Sequence, residues 1–310
     1  MSNPFEKIKS VDFLDVGCSS SLDAKWFDLF PLLSYTGFDP NSEECERLNS
    51  KPHPYKTARY LPYAIAGEQG TKTMYKTQSL ECYSLLHPNY NWLNRFSYCE
   101  LFRLTGTESV VCTTLNALAE EQNLIADIIK IDTQGLELPI VKAGDKVLQK
   151  AFCVETETGF VENYIGETTY AQIDEFMRSK GFMMFDINIY RVTRKNSLAK
   201  HGKHQPLWCQ ALWLFDFIGT GKKPSREQAL KALRICKALR YFDYGCELAS
   251  YFNDIGIIES EILTYLERLE NWVIKSKPPS SKAGKLLSLL PERINKRLRY
   301  GLKEICDYDI

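Results

Sequence analysis

Asp127-Ile-Ile-Lys-Ile-Asp-Thr-Gln-Gly-Leu-Glu137 decides the fold. Its apolar run, Ile128-Ile-Lys-Ile131, is near-continuous rather than alternating. Strands covered on both faces read this way, and such strands are usually parallel. Lys130 and Asp132 are two apart, so they share a strand face. Asp132 falls at the C-terminal tip, where open α/β sheets bind ligands. Burying two charges is costly unless they pair or meet a ligand, so a structural Lys130–Asp ion pair is the plain alternative.

Working outward, similar apolar runs at 11–16, 35–39, 60–66, 151–155, 182–192 and 211–217 read as further strands. Helical stretches fall between them. Residues 22–33 carry Leu22, Trp26, Phe27, Phe30 and Leu33 at helical spacing. Residues 42–49 open on a capping serine and two glutamates. Residues 136–148 and 170–180 complete the set, the last ending at Gly181. Strand–helix alternation with right-handed crossovers predicts a doubly wound α/β sheet.

The first two strands end in Asp15-Val-Gly17 and Asp39-Pro40, their aspartates 24 positions apart. In nucleotide-binding α/β units the first loop lets the backbone approach the ligand. An acid at the next strand tip, roughly 20 residues on, then accepts the ribose hydroxyls. Cys18-Ser-Ser-Ser21 follows Gly17 where a G-x-G-x-x-G loop has two more glycines. A pyrophosphate cradle is therefore not expected. S-adenosylmethionine, which has no phosphate, suits this loop better than NAD, which leaves a nicotinamide-linked oxidoreductase a weak third reading. Asp15, Gly17, Cys18, Ser19, Asp39, Pro40, Ala64, Ile65 and Asp132 are the expected cofactor contacts. An ordinary tight turn with both aspartates as helix caps is the structural alternative.

The 127–137 stretch, followed by Val141-Lys-Ala-Gly144, resembles the signature of FkbM-type methyltransferases. Thr114-Leu-Asn-Ala-Leu118, Phe13-Leu-Asp-Val-Gly17, Gly37-Phe-Asp-Pro40, Val154-Glu155 and Gly181-Phe182 resemble other motifs of that family. The likeness spans roughly residues 11–217. It departs from the family pattern at Cys18-Ser-Ser, Asn116 and Gln134. The resemblance implies a class I methyltransferase fold, α/β and Rossmann-like: a seven-stranded, mostly parallel sheet with the last strand antiparallel. It also implies S-adenosyl-L-methionine as cofactor and O-methylation, often of sugar or polyketide hydroxyls. The expected product is an O-methylated glycan or related small molecule. A methyltransferase-like binding or scaffold protein without catalysis is the alternative.

Methyl transfer needs an aligned acceptor and a base. Asp132 is the first candidate base, Glu155 the second and His87 the third; for His87 a packing role in its loop is the alternative. Residues 67–124 interrupt the α/β rhythm. Their aromatic stretch at 83–102 would form either an acceptor wall or a small hydrophobic cluster.

The expected division is a cofactor-binding domain at 1–219 and a helical appendage at 220–310, beginning after Gly219-Thr-Gly-Lys-Lys-Pro224. Helices are expected at 225–252, with a turn at Tyr244-Gly245, and at 258–275. The basic stretch 277–303 invites anionic-surface contact, or is a solvated face. Formal net charge is zero over 310 residues, so no nucleic-acid partner is expected. Neither a leader nor a membrane span is read, and cytoplasmic location is the default expectation. The ten cysteines sit in apolar runs without C-x-x-C pairs and read as reduced thiols. His201, His204 and Cys209 lack a fourth ligand, so no metal site is expected.

Overall fold

The computed structural model describes residues 3–18, 22–196 and 198–272. It contains strands β1 (Val11–Val16), β2 (Leu33–Phe38), β3 (Thr57–Leu61), β4 (Ala64–Ile65), β5 (Gly70–Thr77), β6 (Leu104–Thr113), β7 (Ile128–Ile131), β8 (Cys153–Gly159), β9 (Phe182–Val192) and β10 (Gln205–Phe215). Seven of them form one sheet in the order β3-β2-β1-β7-β8-β10-β9. The pairs from β3 to β8 are parallel, and β10 runs antiparallel to both its neighbours. This is the expected class I methyltransferase arrangement. The chain builds outward from β1 through β3, then crosses to β7. The order therefore reverses between β1 and β7, the point where such sheets open a crevice.

The core explains the apolar runs: Val11, Phe13, Leu33, Ile128, Ile131 and Val154 are fully buried. Lys130 does make the structural ion pair, 3.1 Å from the buried Asp15.

Several expected elements take another form. Residues 22–33 are not a helix but two short 3-10 turns, Ala24–Trp26 and Phe30–Leu32. Pro31 lacks the N–H a continuous helix needs there, while Trp26 is buried edge-on against Phe13, ring centroids 5.3 Å apart. Residues 60–66 divide at Pro62: β3 stops at Leu61, and β4 joins a second sheet, order β4-β6-β5. Residues 136–148 divide into helices Glu137–Lys142 and Asp145–Leu148 at Gly144, where a β-carbon would come 3.0 Å from Leu115. The helix Ser42–Asn49 forms, with Asn41 rather than Ser42 as its cap.

The aromatic stretch packs as a cluster: Phe96, Tyr98, Phe102 and Tyr164 follow one another at ring spacings of 5.9, 5.7 and 5.7 Å. The nine described cysteines are free thiols. Among the described residues no helix is long and apolar enough to cross a membrane.

The chain divides into two compact units, Met1–Glu267 and Arg268–Ile310. The first takes in helices Arg226–Leu239 and Phe242–Asp254, which break at Arg240 (φ 65°) rather than at Tyr244-Gly245. Lys231 ties the first of these helices to the sheet, 2.8 Å from Asp127 Oδ2 and 3.1 Å from Asp12 Oδ2. Residues 258–272 hold helices Ser260–Leu266 and Leu269–Trp272. The remainder of the expected 258–275 helix and the basic stretch 277–303 lie outside the described residues.

Candidate active site

The tips of β1, β2 and β7 are stitched together by backbone bonds. Gly17 and Cys18 donate to the Phe38 carbonyl at 2.9 and 3.2 Å, and Asp132 donates to the Val16 carbonyl at 2.9 Å. Gly17 has φ +85°, and a β-carbon there would lie 1.9 Å from the Asp132 carbonyl oxygen. Only glycine allows this approach. Above the tips opens a cavity of about 800 Å³.

Gly17, Asp39, Pro40, Ala64, Ile65 and Asp132 all line that cavity. Asp39 Oδ1 accepts the Asn41 N–H at 2.8 Å, and burial raises its carboxyl above the ordinary aspartate value. Two other expected cofactor contacts sit beneath the lining instead. Asp15 is 1% exposed and accepts from the Tyr35 hydroxyl at 2.8 Å and from Lys130. Cys18 is equally buried, its Sγ 2.6 Å from where a Gly37 β-carbon would stand. Burial, and then the charge of Asp15, pushes its thiol far up. Ser19 lies outside the described residues.

Asp132 is oriented by Gln134, whose Nε2 donates to its Oδ1 at 2.9 Å. Gln134 adopts φ +56°, and its Oε1 lies 3.1 Å from the Tyr164 hydroxyl. Glu137, fully buried, accepts from the N–H groups of Thr133 and Gly135 at 3.0 and 3.1 Å, holding the 133–135 loop closed. Burial pushes its carboxyl up to about 8. Glu167 does the same for the loop after β8, accepting from Gly159, Asn163 and Tyr164 at 3.1, 2.6 and 3.0 Å. Burial lifts it to about 7.

Glu155 and His87 fall off the cavity lining. Glu155 pairs in register with Lys130, one pleat back from the tip, and bonds Lys25 Nζ at 2.6 Å. His87 Nδ1 lies 2.8 Å from the Pro88 carbonyl oxygen, and its ring meets Tyr75 and Tyr90 edge-on.

The acid beside Asp132 is Glu157. Ile131 pairs with Thr156, so the next residues on the two parallel strands, Asp132 and Glu157, come abreast. Glu157 is raised well above the ordinary glutamate value, by burial first and then by the neighbouring Asp132 carboxyl. It lines the cavity. The sequence carries its signal in the alternation of Glu155 and Glu157, but the apolar run that marks the strand ends at 155. Across the cavity stand Tyr83, Phe102, Tyr164 and Trp208, the last stacked on Tyr190 at 5.2 Å.

This lining suits a cationic, phosphate-free cofactor. Among the described residues its one lysine or arginine is Lys76, already bonded to Glu108. Its other charged lining residues are all acids, among them Asp39 at the β2 tip and the Asp132 and Glu157 carboxyls at the β7 and β8 tips, and Gly17 leaves the β1 tip bare.

A sequence model of the methyltransferase FkbM domain matches residues 22–184, more than half of the chain. No curated protein matches. Among solved structures, a precorrin 8w decarboxylase from Methanobacterium thermoautotrophicum aligns at TM-score 0.35 and 13% identity, covering 67% of this chain and 83% of that one. A SAM-dependent methyltransferase from Methanosarcina mazei aligns at TM-score 0.31 and 12% identity, covering 67% and 93%. A putative RNA methyltransferase from Pyrococcus horikoshii aligns at 0.29 and 7%, covering 68% and 78%. Likeness at this level adds nothing to the strand order itself.

Proposed function

The chain belongs to the FkbM methyltransferase family, and on that premise we propose that its cavity transfers a methyl group from S-adenosylmethionine to a hydroxyl of a sugar, glycan or related small molecule. When bound, S-adenosylmethionine supplies a methyl carbon made electrophilic by its sulfonium sulfur. Gly17 leaves room for backbone approach. Asp39 accepts the ribose hydroxyls, a task suited to a carboxylate that takes two hydrogen bonds at once. Ala64 and Ile65 offer an apolar wall to the adenine. Asp15 and Cys18 support the floor from below and touch no ligand.

Asp132 receives the proton of the acceptor hydroxyl, with Gln134 fixing its orientation. A positioned base contributes roughly 10²–10⁴-fold, and alignment of the acceptor with the methyl carbon supplies much of the rest. Trp208 and Tyr83 give flat apolar faces on which a sugar ring can stack. The observation that carries this reading is the pair of acids, Asp132 and Glu157, abreast at the β7 and β8 tips next to the strand-order switch and lining the same cavity as Gly17 and Asp39.

The test is transfer of a tritiated methyl group to a panel of methyl glycosides and oligosaccharides, with the linkage read by mass spectrometry. The expected result is an O-methyl product and a loss of about 10²-fold or more in Asp132→Asn. Label arriving on nitrogen or carbon, or on no member of a broad panel, contradicts the assignment.

A further inference from the structure

In the methyl-transfer reading, on which this inference rests, the cofactor loses its positive charge in every turnover, and that charge must be balanced. Asp132 and Glu157 lie abreast at neighbouring strand tips and line the same cavity, where the Asp132 carboxyl raises Glu157. With no cation beside them, carboxyls so placed do not both ionise, and the proton between them belongs to the pair rather than to either residue.

Of the charges around the pair, Lys130 pulls against this proton, with less effect than burial and the neighbouring Asp132 and Glu137 carboxyls that favour it. From β7, Lys130 faces the same way but is paired with Asp15. From the loop after β7 come the Gln134 amide and the Glu137 carboxyl. From the loop after β8 come Glu167 and the Tyr164 phenol, while β10 contributes Cys209 and the 80–82 turn contributes Cys82. Burial raises each of these acids and thiols; the thiols and Glu137, at about 8, stay largely protonated near neutral pH, while Glu167, at about 7, is divided between its two forms and adds only negative charge, which favours the shared proton.

We propose that the Asp132–Glu157 pair is a proton reservoir keyed to cofactor charge: it holds one shared proton while the cavity contains no cation, releases it when a sulfonium enters, and regains a proton from the acceptor hydroxyl during transfer. The balance closes. The acceptor O–H bond breaks and an O–CH3 bond forms. The S–CH3 bond breaks with its electron pair staying on sulfur, which passes from cation to neutral. The hydroxyl proton goes to the pair, which ends the step singly protonated beside a neutral thioether. That proton leaves to water when the next sulfonium enters. The pair thus favours the cation when doubly ionised and the neutral product when protonated.

The experiment titrates the full chain with S-adenosylmethionine and, separately, S-adenosylhomocysteine by calorimetry in buffers of different ionisation enthalpy. A pH of about 6.5 keeps the ligands' α-amino groups protonated. The slope of observed heat against buffer enthalpy counts protons. Wild type should release about one proton more with the sulfonium than with the thioether, and Glu157→Gln should bring that difference close to zero while the thioether still binds. Infrared spectra of wild type alone give a second reading: the protonated-carboxyl band should fade with the sulfonium and persist with the thioether. Equal proton release with both ligands, a difference that survives Glu157→Gln, or a band unchanged by either ligand overturns the proposal and leaves the methyl-transfer reading intact. Failure of both ligands to bind overturns the two together.

Discussion

Replacing Gly17 with alanine probes the junction on which the cavity rests. The backbone sets two costs. At φ +85° an L-residue with a β-carbon is strained by about 1–2 kcal/mol. The new carbon would also lie 1.9 Å from the Asp132 carbonyl oxygen. Ordinary contact needs roughly 3.4 Å or more, so the β1 and β7 tips must part by about 1.5 Å. Overpacking of this kind costs typically 1–3 kcal/mol, giving a total on the order of 2–5 kcal/mol. In a chain of this size that lowers the melting temperature by roughly 3–8 °C. The displaced residue is Asp132 itself, and a shift of about 1 Å at a reacting group can cost 10²-fold in rate. Circular-dichroism melting reads the first effect and the rate of methyl transfer the second, while product titration reports the shape of the pocket. A Gly17→Ala protein that melts within a degree of wild type and binds product equally well would show that these tips are not in contact.

Lys231→Met should destabilise the fold by about 3–5 kcal/mol, because it leaves the buried Asp127 and the half-buried Asp12 without their cation. Burial already raises Asp127 to about 6 against Lys231's opposing pull. Its stabilising contribution is therefore complete below the unfolded value and lost as pH rises through about 6. Without Lys231 that loss deepens, so the melting deficit should be larger at pH 7.5 than at pH 5; a deficit independent of pH contradicts this. Trp208→Ala should raise the acceptor KM while leaving product affinity unchanged, since the ring lines the cavity on β10, away from Asp39. Equal loss of product affinity would move Trp208 to the cofactor side.

The strand tips are readable because the residues that make them also show in the chain. The strands at Val11–Val16 and Ile128–Ile131 are covered on both faces, so their apolar runs are near-continuous, and they end directly before Gly17 and Asp132. Ala64 and Ile65 are legible as cavity residues, but their place in a second sheet is not; Pro62 carries that message, and an unbroken apolar run masks it. The false helix at 22–33 has the right apolar spacing, which reflects Trp26 and Leu29 burying toward the core from turns that Pro31 interrupts. Glu155 and Glu157 share one strand face, and which of them meets the cavity depends on where β8 ends. That end is set by the loop Glu167 holds closed from eight residues beyond Gly159, a contact that local pattern does not reveal. Asp15 has the residue type of a ligand contact, but it lies one pleat too deep.

The central claim is that the tips bearing Gly17, Asp39 and Asp132 form one adenosyl pocket. Its most direct test is the titration of S-adenosylhomocysteine into wild type and Asp39→Ala. Loss of a hydrogen-bonded carboxylate predicts saturable binding in wild type and affinity lower by about ten- to a hundredfold in the variant. Equal affinity in the two proteins would contradict the account, because the ribose would then sit somewhere other than at the β2 tip.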